Sequence, residues 1–316
     1  MPSTIDHRLS RFRLRDLHVV EVVASSGSMA KAAPLLAMSQ PAVSRVIAEM
    51  ERVLGVPIFD RTASGVALTA YGVLLRRRAV TIADELKLGL GEISFLSDPT
   101  QGEIRIGCTE PMTTLIATIL RQMSSQYPRI VFHVRAADTN TLHRLLRDRE
   151  MDIAVSRMAV PSSESDLHTE ALFEDELAVI AGKQNPLSRR KRLSLKDLMN
   201  ERWILGPSES SFLNPFIEEA FAHVGLPVPC AAVISASSYL RNSLLATGPF
   251  LTILPASLLK YPRPHPTLTA LPVRLPTTRR PVGLVWLEHR SMSPITTIFC
   301  KLAREAAKPV DAHIAG

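Results

Sequence analysis

The stretch that decides the fold is Ser39–Gly55, SQPAVSRVIAEMERVLG. Apolar Val43, Ile47, Met50 and Leu54 recur at the spacing of one helical face. Ser39 stands where a hydroxyl can accept from free amides of the first turn. Pro41 sits in that turn, where a missing N–H costs little, and Gly55 occupies the stop position. The other face holds Gln40, Ser44, Arg45, Ala48 and Arg52. Small residues and hydrogen-bonders opposite a core stripe suit a helix lying in a DNA major groove. The same pattern also fits a plain amphipathic surface helix, so the flanking sequence decides.

Upstream, Leu14, Leu17, Val20 and Ala24 recur at helical spacing until Ser25-Ser26-Gly27. Ser28 is placed to cap a short helix through Met29, Ala32, Ala33 and Leu36. Pro34 inside it costs about 3 kcal/mol, which predicts a short or kinked helix. Ala37-Met38 makes the tight connection, and the two helices form a helix-turn-helix unit. Downstream, Val56, Ile58 and Phe59, then Val66 and Leu68, flank a turn at Thr62–Gly65. This reads as a two-stranded wing whose Arg61 and Thr62 could touch phosphate or the minor groove. Arg45 or Gln40 could read a base edge through two hydrogen bonds, worth roughly 1–3 kcal/mol of discrimination. Ser39, Ser44 and Thr62 suit phosphate positioning. Arg52 fits a solvated charge and a phosphate contact equally. Ser28 and Lys31 on the preceding helix complete the candidate DNA-contacting set.

These residues together resemble the winged helix-turn-helix of LysR-type transcriptional regulators. The resemblance rests on Ala32-Ala33, the run Ser39-Gln40-Pro41-Ala42-Val43-Ser44, Glu51, Leu54-Gly55, Phe59, Arg61 and Leu68-Thr69, in that order. It implies that Gln40, Pro41, Ser44 and Arg45 face DNA and that Arg61 acts from the wing. Pro34 departs from the polar residue usual at its position.

Between Leu75 and Leu96, core-type positions fall at Leu75, Ala79, Ile82, Leu86, Gly89, Ile93 and Leu96. Alternating steps of four and three make a coiled-coil seam, weakened at Gly89. Arg76, Arg77 and Arg78 lie off the seam and read as a solvated face. A seam needs a partner helix, so a homodimer is expected, with two recognition helices for a two-fold DNA site. The resemblance implies the same dimerising linker and, beyond it, a homotetramer. Asp98-Pro99-Thr100-Gln101-Gly102 breaks the helix. The expected domains are 1–69 for the winged helix-turn-helix, 70–98 for the linker and 99–316 for the rest.

From 103 onward strands and helices alternate: strands at 103–110, 130–138 and 151–155, with helices at 111–128 and 139–150. Such alternation predicts an α/β domain with a parallel sheet and helices on both faces. Further strands and helices at 176–182, 213–224, 231–235, 237–247 and 250–255 suggest a second lobe. The chain is expected to return to the first lobe near 270–290. The pattern is similar to the family's effector domain, two lobes with a cleft between them, like a periplasmic binding protein. Ligands in such sheets bind at strand carboxyl ends and helix N-termini, which selects Thr109–Thr113, Thr139, Ser156-Arg157 and Pro207–Phe212. The candidate effector residues are therefore Thr109, Glu110, Thr113, Thr139, Arg157, Ser208 and Phe212. The resemblance places Glu110, Thr139 and Arg157 at positions that contact effector in aromatic-responsive members. Arg157 could pair with a ligand carboxylate or form a structural salt bridge. Glu110 would repel an anion, which predicts a neutral or polyhydroxylated effector.

The 316 residues suffice for two domains, and 46% hydrophobic with 21% charged residues is an ordinary globular mix. Lys and Arg number 37 against 30 acids, a net charge of +7. The first 97 residues hold 12 bases and 9 acids, so the excess is spread over both parts and hints at nucleic acid without proving it. Cys108, Cys230 and Cys300 are odd in number and far apart, which argues against a disulfide scaffold or a metal site. The polar N-terminus and the lack of any apolar run near ~20 residues predict a cytoplasmic protein without a membrane span. No GxGxxG, GxxxxGK[ST], HExxH or GxSxG occurs, and no cofactor is implied. An enzyme reading would rest on Cys108 near Glu110 and His133, but a buried inert thiol fits better. An architectural factor would not need the second two-thirds of the chain. A solute-binding protein would not need the winged helix. The basic run 188–196 reads as a solvated loop.

Overall fold

The computed structural model describes residues 12–63, 65–158, 165–207, 213–260 and 265–314. The chain divides into two compact units, Met1–Gly91 and Glu92–Gly316.

The first unit is built on three helices, α1 (Leu14–Ser26), α2 (Met29–Leu35) and α3 (Gln40–Leu54). A wing follows, β1 (Phe59–Thr62) paired antiparallel with β2 (Gly65–Leu68). Gly27 and Gly55 end α1 and α3 in the left-handed conformation, as their positions predict. Ser39 accepts from the Ala42 amide at 3.4 Å and starts α3. Pro34 sits near the end of a seven-residue α2, so the helix is short. Ser28 differs from expectation: it precedes α2 but its side chain makes no capping bond. The buried face of α1 also differs. Val19, Val20 and Val23 are its core residues, while Leu14 is exposed. Apolar residues surround most of this helix, and packing on α2 and α3 selects the phase.

Two contacts tie the wing to the helices. Glu51 of α3 accepts from the Ile58 amide at 2.7 Å and the Phe59 amide at 3.2 Å. Val66 donates to the Gly27 carbonyl at 2.9 Å, and a Cβ on Gly65 would stand 2.2 Å from that oxygen. Only glycine permits this approach, so Gly65 sets the wing's position against α1.

Helix α4 runs Ala70–Ser97. Thr69 caps it, accepting from the Gly72 amide at 3.0 Å. Arg76 departs from the expected solvated face. It makes two bonds to Glu21 of α1, at 2.9 and 3.1 Å, and so fastens the start of α4 to the helix-turn-helix.

The second unit has two lobes. In lobe 1, β3 (Gln101–Cys108), β4 (Arg129–Ala136), β5 (Ile153–Arg157), β12 (Arg280–Leu287) and β6 (Leu167–Asp175) form one sheet, ordered β4-β3-β5-β12-β6. Helices α5 (Thr113–Gln126) and α10 (Pro294–Ile314) cover one face, through Ile116, Ile119 and Phe299. Helix α6 (Thr139–Arg147) covers the other, through Leu142, Leu145 and Leu146. In lobe 2, β7 (Leu177–Gly182), β8 (Arg202–Leu205), β9 (Ala231–Ile234), β10 (Phe250–Pro255) and β11 (Leu268–Ala270) are ordered β11-β7-β10-β8-β9. Helix α7 (Asn214–His223) packs on Trp203 with its Ile217 and Phe221; α8 (Ser238–Ala246) buries Leu245 on the opposite face, and the short α9 (Ser257–Lys260) joins that side.

The sheets are mixed rather than parallel. β12 runs antiparallel to both β5 and β6, and β7 antiparallel to β10 and β11. The reason is the return of the chain: β12 re-enters lobe 1 from lobe 2 and therefore arrives in the opposite direction. This return falls in the expected 270–290 region.

Candidate nucleic-acid interface and ligand cleft

Helix α3 turns Val43, Ile47 and Met50 into the core. Gln40, Pro41, Arg45 and Ala48 are exposed on the opposite side, and Ser44 is half-buried with its hydroxyl 3.2 Å from the Met29 sulfur. Ser39, Lys31, Arg61 and Thr62 are also exposed, and Ser28 is half-buried. Arg52 is occupied otherwise: it bonds Glu49 on the same helix at 2.8 and 2.5 Å. That pair lowers its value as a phosphate contact and holds its guanidinium pKa above the usual range. Gln40 and Arg45 thus present planar donors little more than a turn apart, on the side of α3 that the core does not use.

On α4 the seam divides. Ala79 is buried and Leu75 half-buried, but Ile82 is 43% exposed and Leu96 83%, with Leu86 and Ile93 between them. A row of large apolar side chains is left open to solvent.

The second site lies where lobe 1 meets lobe 2. Strands β3, β4 and β5 run parallel, so Thr109, Glu110, Thr139 and Arg157 gather at one end of the sheet. Glu110 begins a 3₁₀ turn and is 41% exposed; Arg241 of α8 stands 3.6 Å from its carboxylate. This pair crosses the two lobes, and sequence reading missed it. The available signal was a single Arg inside the otherwise uncharged segment 238–246. Thr113 bonds back to the Glu110 carbonyl at 2.7 Å, so its hydroxyl proton is spent locally. Thr139 is buried beside Asp138, which caps α6 by accepting from the Thr141 amide at 2.9 Å. Ser208 and Phe212 lie outside the described residues.

Arg157 is buried in the hinge between the lobes. Its Nη1 donates to the Thr278 carbonyl at 2.9 Å, and its Nη2 lies 4.0 Å from Asp175. Asp175 ends β6 at the crossing into lobe 2 and accepts from the Ser257 hydroxyl at 2.6 Å and its amide at 3.2 Å. Thr278, just before the returning strand, accepts from the Leu177 amide at 3.2 Å. Both crossing segments are thus joined through one buried polar cluster. Burial lowers the Arg157 pKa and raises that of Asp175, although each charge opposes the other's shift.

Residues 14–73 match the model described as bacterial regulatory helix-turn-helix protein, lysR family. Residues 97–308 match the LysR substrate binding domain. The chain belongs to the LysR family. It is 28% identical over 287 residues to the HTH-type transcriptional regulator GbpR of Azospirillum brasilense, covering 90% of this chain and 84% of that protein. In fold this LysR chain is similar to a full-length OxyR from Pseudomonas aeruginosa, at a TM-score of 0.63 and 19% identity, with 95% of this chain and 97% of that one covered. Against CbnR, a LysR family regulator, the TM-score is 0.62 at 21% identity, with 94% and 100% covered. As a LysR-type regulator it is a DNA-binding transcriptional regulator with an effector-binding domain, and its relatives are regulators rather than enzymes.

The residues of the enzyme reading are arranged accordingly. Cys108 is fully buried and its thiol is pushed up to about 11 by burial, too high for a thiolate nucleophile. His133 is exposed on β4, 3.5 Å from Glu103. Among the described residues no three His, Cys, Asp or Glu side chains gather to hold a metal ion, and no helix is long and apolar enough to cross a membrane.

Proposed function

We propose that this chain is a cytoplasmic homodimer that reads a two-fold DNA site through paired α3 helices and answers a small effector held between its lobes. Segments 1–69, 70–98 and 99–316 serve as reader, dimerising linker and effector domain. The observation that carries the reading is the free face of α3, where Gln40 and Arg45 stand exposed opposite the core stripe. Gln40 and Arg45 contact base edges; Ser39, Ser44, Arg61 and Thr62 position the phosphate backbone, Pro41 makes an apolar contact beside them, and Ser28 and Lys31 stand at the rim. CbnR, a structural neighbour at a TM-score of 0.52 in this form, is seen complexed with its target DNA. Effector contacts come from Thr109, Glu110, Thr113, Thr139 and Arg157 in lobe 1, with Arg241 opposite. Dimers pair further into a tetramer.

A gel shift and footprint on the chain's own upstream region tests DNA reading. The expected result is protection of two half-sites spaced by whole turns of duplex, roughly 34 Å each. A single unpaired half-site, or binding that random duplex competes away equally, refutes it. The exposed apolar row of α4 supports the dimer. Ile82→Asp with Leu86→Asp should halve the light-scattering mass of the parent assembly and weaken operator binding at least tenfold. A variant that keeps its mass removes α4 from the interface.

A further inference from the structure

Residues 183–202, KQNPLSRRKRLSLKDLMNER, run from the end of β7 into the start of β8 in lobe 2. They hold seven bases against two acids, a net of +5, while the whole chain nets +7. One connection thus carries most of the excess charge. Lys183, Arg189, Arg190, Lys191, Arg192 and Lys196 are all exposed. Among the described residues no acid stands within ion-pair distance of Arg189, Arg190, Lys191 or Arg192. Asp197, inside the run, is turned to Ser194, accepting from its amide at 2.8 Å and its hydroxyl at 2.7 Å. Four consecutive like charges repel one another, a cost that salt or a bound anion relieves.

The run is solvated, as its composition predicts, but it is anchored on both sides of the cations. Buried Asn185 donates to the Gly248 carbonyl and accepts from the Leu187 amide at 2.9 Å. It starts a 3₁₀ turn over Pro186–Arg189, and Ser188 donates back to the Asn185 carbonyl at 2.6 Å. Leu187 before the four cations, and Leu193 and Leu195 after them, pack on the lobe 2 core. A backbone held in this way lowers the ordering cost of meeting a ligand. Around the cations Gln184, Ser194 and Asn200 are exposed, and the run exposes no aromatic or large apolar side chain. Protein interfaces are built on such anchors, whereas a duplex backbone is contacted by Arg, Lys, Ser, Asn and Gln, the types present. DNA is also the polyanion that this regulator binds. We infer that the β7–β8 connection is a second, sequence-independent DNA contact. Arg190, Lys191 and Arg192 meet phosphates beyond those held by the winged helix-turn-helix, the two guanidinium forks each pairing with phosphate oxygens.

The test is anisotropy titration of the full chain from about 50 to 200 mM salt. The probes are the chain's own upstream duplex, running several turns past the half-sites, and a scrambled duplex of equal length. Arg190→Gln with Lys191→Gln and Arg192→Gln should lower the slope of log affinity against log salt by about 2–3, close to one per lost phosphate contact. Both duplexes should weaken by the same factor, at least fivefold, so their ratio holds. A control removes equal charge from exposed positions of lobe 1, with Arg121→Gln, Lys301→Gln and Lys308→Gln. Its slope should stay near that of the parent chain. Arg190→Lys with Arg192→Lys keeps the charge and should keep the slope. A slope that falls no further in the run variant than in the control overturns the contact. So does a lysine variant that loses as much slope as the glutamine one, or a run variant that loses the preference for operator over scrambled duplex. If the parent chain itself shows no such preference, base reading by α3 fails, while the salt slope on scrambled duplex still decides this contact.

Discussion

Gln40→Ala combined with Arg45→Ala is expected to abolish the specific gel shift while the dimer and its unfolding midpoint stay unchanged. Each side chain can make two hydrogen bonds to a base edge, at roughly 1–3 kcal/mol of discrimination apiece, so the pair is worth roughly 2–6 kcal/mol. That is about thirtyfold or more in specific affinity. Neither residue contributes to the core: Val43, Ile47 and Met50 hold α3 from the other side. Binding to random duplex, which follows phosphate contacts, should fall much less. Anisotropy titrations with operator and scrambled duplex measure both. An unchanged ratio between the two would move base reading to other residues.

The second large effect is in the hinge. Asp175→Ala should destabilise the second unit by about 3–5 kcal/mol, because it leaves the buried Arg157 facing no counter-charge. It also strands the Ser257 hydroxyl and amide, which both bond this carboxylate. Arg157→Met with Asp175→Leu should recover part of the loss, since an apolar pair of similar volume leaves no buried charge unmet, although the Ser257 hydroxyl and amide and the Thr278 carbonyl still lose their partners. Urea unfolding of these variants beside the parent chain measures both effects. Because burial holds the Asp175 pKa above the usual carboxylate range, the fold binds that proton more tightly than the unfolded chain. This group alone therefore withdraws stability as pH rises from about 4 toward its raised value, the reverse of an ordinary ion-paired aspartate. A loss below about 1 kcal/mol in Asp175→Ala would mean that the pair does not hold the lobes.

The candidate cleft was only half legible. The position of Thr139 and Arg157 at one end of the lobe 1 sheet could be read because strand ends and helix starts follow from local pattern. Arg241 could not, because its meaning depends on Glu110 in the other lobe. For Arg157 the structure shows the salt-bridge alternative: one guanidinium nitrogen donates to the Thr278 carbonyl and the other stands 4.0 Å from Asp175.

What the sequence by itself determined is the winged helix-turn-helix. Its signals are local: a 3.6-residue period in α3, a cap at Ser39, stops at Gly27 and Gly55, and a tight turn between two short strands. Each is set within a few residues by sterics and hydrogen bonding. The phase of α1, the pairing of Arg76 with Glu21, the mixed direction of both sheets and the hinge cluster were decided only in the tertiary structure. Arg157 and Thr278 are 121 residues apart and Asp175 and Ser257 are 82 apart. No local period encodes such meetings; they exist because the chain crosses between the lobes twice and each crossing must satisfy the buried polar groups of the other.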